Sequence, residues 1–158
     1  MRTINGIIAG FIATIVLSLL MLMKSAMGMM PEVNVIQMLA KMGSMYAGLP
    51  LNPMVGWVMH FVIGSIAWGA IFAWATSVLP GGFVMKGIVF SVAAWVLMMI
   101  GPMPMAGAGL FGLNLGVAAP IATLVLHIIF GAVLGGTFGW LEARRKAGAP
   151  EGAAHGAR

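Results

Sequence analysis

Two runs decide the fold: PMVGWVMHFVIGSIAWGAIFAWATS at residues 53–77 and PIATLVLHIIFGAVLGGTFGWL at residues 120–141. Neither contains an acidic or basic residue apart from one histidine. Each is long enough for a helix that crosses a hydrocarbon core, which takes roughly 17–25 residues. Each opens on a proline, which suits a first helical turn because the missing N–H has no intrahelical partner there. The runs also agree at a constant offset: Pro53, His60, Gly64 and Gly69 fall on Pro120, His127, Gly131 and Gly136.

Each run follows another apolar stretch. The first, from about Asn5 to Met23, extends toward Met30; the other, from Phe83 to Ile100, stops at Gly101-Pro102. The first is not a cleaved leader on this reading, because no small-residue cleavage motif follows it and three more spans do. The loops before the two quoted runs share Gly48-Leu49-Pro50-Leu51 and Gly112-Leu113-Asn114-Leu115, and Gly6 and Gly10 are set against Gly87 and Ser91. The expected fold is therefore an all-α integral membrane four-helix bundle made of two tandem helical hairpins. One membrane domain covers 1–141, with repeats at about 5–78 and 83–141. A copied two-span unit keeps its orientation, so the repeats should relate by an axis along the membrane normal.

The first hairpin holds an extra segment. Pro31 and Glu32 suit a first turn, and Val35, Ile36, Leu39 and Met42 then recur at helical spacing opposite Asn34, Gln37 and Lys41. That pattern predicts a short interfacial helix. The last stretch, 142–158, is glycine, alanine and charge, which predicts a disordered basic tail.

Composition supports this reading. The chain is 61% hydrophobic and only 7% charged, too few charges to clothe a soluble surface. Its net charge of +5 is spread over span ends and tail, which points to lipid rather than nucleic acid as the partner. Arg2, Lys86, Arg144, Arg145, Lys146 and Arg158 fall at one end, against Lys24 and Lys41 at the other. The asymmetry places both termini in the cytoplasm of a bacterial inner membrane. Trp74 and Trp140 then mark the inner interface, and Tyr46 and Trp57 the outer one. Cysteine is absent, which excludes disulfides and thiolate chemistry.

His60 and His127 are the ionisable groups deepest in the spans, and they share one predicted depth. Interhelical hydrogen bonding accounts for each of them. If instead the matched faces converge, two imidazoles meet, and Gly64 and Gly131 one turn away leave room for a flat ligand. Haem b is then one occupant. Copper is another, with Met27, Met30, Met103 and Met105 as thioether ligands beside the two histidines. Methionine as packing competes with that assignment. No catalytic constellation is visible: the serines lack an orienting acid, and Gly107 and Gly109 follow no strand.

The His-x3-Gly spans, the duplicated hairpin and the Gly-Pro end of the third span resemble small uncharacterised bacterial inner-membrane proteins of the YagU-like kind. The resemblance runs over most of 5–141. It implies a four-helix membrane fold and brings no catalytic residues. The expectation is a small polytopic protein that acts by binding or accessory assembly. The alternatives are a small-solute permeation protein, a homo-oligomer among them, or a structural subunit of a larger membrane complex.

Overall fold

The computed structural model describes residues 1–29 and 34–148. Those residues are all-helical, and four helices are long and apolar enough to cross a membrane. Helix α1 spans Arg2–Ala26, α2 Val35–Ala47, α3 Pro53–Ala75, α4 Phe83–Ile100 and α5 Ala118–Ala147. A single turn, Pro102–Met105, and a 3-10 segment, Leu110–Leu115, join α4 to α5. Inside α3 the residues Val62–Ala67 form a π-helix.

Asparagine caps set two helix starts. The Asn34 side chain accepts from the Gln37 N–H at 3.0 Å, and Asn52 accepts from the Val55 N–H at 3.0 Å. These bonds satisfy donors that a first turn leaves orphaned. Helix α2 therefore starts at Val35, while Pro31 and Glu32, placed in its first turn by the sequence, lie outside the described residues. It ends on Gly48 at φ +64, a left-handed cap that glycine adopts without strain.

Within each hairpin the helices approach to backbone contact. A Cβ on Gly69 would meet the Gly6 carbonyl and the Ile7 Cα; a Cβ on Gly135 would meet the Phe83 carbonyl and the Val84 Cα. Gly10 lies against the backbone of Gly64 and Gly69, and Gly87 against that of Gly131 and Gly135. Gly64 faces the Thr14 side chain and Gly131 faces Ser91. The two hairpins thus use matching contacts, but not the residue matches read from the letters. Gly10 plays the part of Gly87, one turn away from the expected Gly6. Gly69 plays the part of Gly135 rather than Gly136, whose face is nearly open. Contact follows the buried face of a helix, whereas letter matching follows residue type wherever it falls.

Between hairpins, α1 packs on α5 through the small buried residues Ala9 and Ala13. Phe90 occupies the matching place on α4, so α3 and α4 meet through rings instead. Phe72 lies 5.3 Å from Phe90 and 5.4 Å from Phe138, and Trp68 lies 5.7 Å from Phe90. This aromatic cluster fills the centre of the bundle.

The end that holds the N-terminus is tied by polar side chains. The Arg2 guanidinium donates to Thr76 Oγ1 at 2.6 Å, and Lys86 Nζ donates to the Thr76 carbonyl at 2.6 Å. Asn5 Nδ2 donates to Glu142 Oε1 at 2.6 Å, and Arg145 pairs with Glu142 Oε2 at 3.0 Å. This corrects the expected tail. The helix runs on through Ala147 and Glu142 is buried, because Asn5 and Arg145 satisfy its carboxylate. Residues 149–158, the rest of the expected tail, lie outside the described residues.

Candidate functional site

The histidines of α3 and α5 sit in different settings. His60 is buried between two glycines of α3 that pack on different helices: Gly56 against Ile36 of α2, and Gly64 against Thr14 of α1. Its imidazole stands edge-on to Trp57 and Phe61, with centroids 5.9 and 5.8 Å away. Its Nε2 is buried without a hydrogen-bond partner. His127 is half-buried, and its Nδ1 lies 2.8 Å from the Thr123 carbonyl one turn earlier. Thr123 in turn accepts from the Trp95 indole at 3.1 Å.

These settings do not carry the shared site that the sequence raised. Gly64 and Gly131 lie one turn beyond the histidines on the same helix faces. Both faces turn toward the partner helix of their own hairpin, α1 for Gly64 and α4 for Gly131. The rings of α3 and α5 that meet between hairpins are Phe72 and Phe138, about three turns along each helix from His60 and His127. The space beside Gly64 and Gly131 is filled by Thr14, Ser91 and the Gly87 backbone, so it cannot admit a porphyrin. Both glycines serve here as helix-packing residues.

The methionines divide in the same way. Met103 is fully buried in a second core with Met99 and Ala108, while Met27 and Met105 are 68% and 47% exposed. Met30 lies outside the described residues. The buried sulfur is a packing group, as flexible thioethers commonly are. Among the described residues no three His, Cys, Asp or Glu side chains gather as a metal-binding group.

Sequence reasoning missed what α2 builds. Ile36, Ala40 and Gly43 bury its inner face, with Gly43 against Met59 of α3. Met38 reaches across to the Met99–Met103 core of the second hairpin. Helix α2 is therefore a strap across both hairpins at the end opposite the N-terminus. A cavity of about 340 Å³ opens on one side of it, with Asn34, Gln37 and Lys41 at the polar wall and Met38, Met103 and Leu115 at the apolar wall. A smaller one of about 230 Å³ lies on the other side, where Asn34 and Gln37 face Trp57 and the end of α1. The amphipathic pattern of α2 was visible in the letters; the partner of its apolar side was not.

No curated protein and no solved structure matches the chain. A family model does match, over residues 1–148, and on that match the chain belongs to DUF6789, a family of unknown function.

Proposed function

We propose that this is a four-span protein of a bacterial inner membrane that acts by binding at its outer end, where α2 straps the hairpins together. Both termini face the cytoplasm on this reading, and the hairpins are two copies of one unit. Support for the copies comes from the matching contacts of Gly64 with Gly131 and of Gly69 with Gly135. Support for the orientation comes from Arg2, Lys86, Arg144, Arg145 and Lys146 at one end. The chain has no cysteine, so Ser44→Cys and Ala147→Cys can each be labelled alone. In intact spheroplasts an impermeant thiol reagent should label the Ser44→Cys protein and spare the other. The reverse pattern inverts the topology.

The observation that carries the binding reading is the larger cavity beside α2. Its volume sits near the lower bound of ligand sites, which combine apolar walls with a few placed polar groups. A lysine and two amides over methionine and leucine suit an amphipathic anion. The aromatic centre argues against permeation through one copy, because Phe72, Phe90 and Phe138 occupy the middle. Dihexanoyl phosphatidylglycerol and its phosphatidylcholine counterpart are suitable probes, titrated against protein in nanodiscs. A lysine near a membrane surface contributes about 1 kcal/mol to anion binding, so Lys41→Ala should weaken the anionic probe about fivefold. Equal binding of both probes, unaffected by the substitution, defeats the reading.

A further inference from the structure

Buried hydroxyls in this chain follow one habit. Thr14 donates to the Gly10 carbonyl at 2.7 Å and Ser18 to Thr14 at 2.7 Å. Thr76 donates to Ala73 at 2.8 Å, Ser91 to Ile88 at 3.0 Å and Thr123 to Ala119 at 2.8 Å. Each bonds back to a carbonyl about one turn earlier, the usual refuge of a helical Ser or Thr. Ser65 is equally buried, yet its Oγ has no hydrogen-bond partner. His60 Nε2 is orphaned in the same span. Buried polar atoms without partners are uncommon in folded proteins.

Ser65 lies in the π turn Val62–Ala67. Helix α3 carries one more residue between its packing glycines, Gly64 and Gly69, than α5 carries between Gly131 and Gly135. In an α-helix a five-residue step would turn Gly69 about 140° away from Gly64, off the α1 interface. Pairing to the fifth residue absorbs the extra position, so both glycines still face α1. His60 stands just before this turn and Ser65 inside it. Such bulges are frequent at functional sites.

We propose that the π turn is a built hydrogen-bonding site, present in the first hairpin alone, that holds one neutral molecule of water's size between His60 Nε2 and Ser65 Oγ. A neutral imidazole nitrogen and a hydroxyl offer complementary donor and acceptor roles. A water molecule needs at least two such partners to be held in an interior. An apolar occupant would satisfy neither atom. A bare cation would find no carboxylate, since Glu142, the one acid among the described residues, belongs to the end that holds the N-terminus.

The test uses full-length protein labelled with ¹⁵N-histidine in lipid nanodiscs, with the His60 signals assigned through His60→Gln. The wild-type His60 Nε2 should resonate as a hydrogen-bonded nitrogen and show a cross-peak to water. Ser65→Ala should lose most of that cross-peak. Deletion of Ile66, an exposed member of the turn, should abolish it and still fold, because it restores the spacing of α5. A free-imidazole Nε2 without water contact in the wild type overturns the site. So does a water contact that both variants leave unchanged. A deletion variant that cannot fold overturns the reading of the extra residue as an insertion, and Ser65→Ala then decides the site alone.

Discussion

Alanine at Gly135 should destabilise the protein severely, while alanine at its neighbour Gly136 should be harmless. The two glycines are consecutive in sequence and chemically identical, so the difference isolates packing. A Cβ on Gly135 would run into the Phe83 carbonyl and the Val84 Cα, and backbone cannot move aside as a side chain can. A Cβ on Gly136 would meet only Val84 Cγ2, at 3.8 Å. Overpacking of a tight contact costs about 1–3 kcal/mol, and a clash with backbone belongs at the top of that range. Removing an unneeded helical glycine gains up to about 1 kcal/mol. Reversible unfolding in mixed micelles, followed by far-ultraviolet circular dichroism, reads both. Equal losses at the two positions, or a larger loss at Gly136, would mean that the α4–α5 contact described above is wrong.

Loss of Glu142 should be the most damaging change among the charged groups. Its carboxylate is buried and accepts from Asn5 at 2.6 Å, joining α5 to the start of α1. Hydrogen bonds to charged groups contribute about 1.5–3 kcal/mol, so Glu142→Ala should cost that much. Glu142→Gln keeps an acceptor for Asn5 and should recover part of it. Arg145 is the control. Its side chain is 46% exposed, and an ion pair open to solvent is worth about 1 kcal/mol or less, so Arg145→Ala should change little. The same unfolding assay applies, and a double-mutant cycle between Asn5 and Glu142 should show coupling. If Glu142→Ala proved as mild as Arg145→Ala, Glu142 would be an ordinary solvated charge.

The same residues mark how far letters carry. Glu142 reads as the start of a charged tail because no local pattern announces Asn5 as its partner, and those two residues lie at opposite ends of the chain. Gly135 and Gly136 form a pair that no local rule can rank. The match of His60 with His127 was legible as a repeated letter, but the direction of each ring was not. Direction depends on which helix lies beside which face. Here that was decided by Gly64 on Thr14 and Gly131 on Ser91.

What the sequence determined by itself was local: four apolar segments of spanning length, the caps and prolines that start them, and the amphipathic pattern of α2. Those follow from periodicity and from the demand that a helix satisfy its own backbone groups. The tertiary structure decided the rest. It set the register between helices, because contact at a glycine depends on a neighbour's backbone. It turned one extra residue in α3 into a π turn, because both Gly64 and Gly69 had to face α1. It made α2 a strap with a cavity beside it, because Met38 found its partners in the second hairpin, far along the chain.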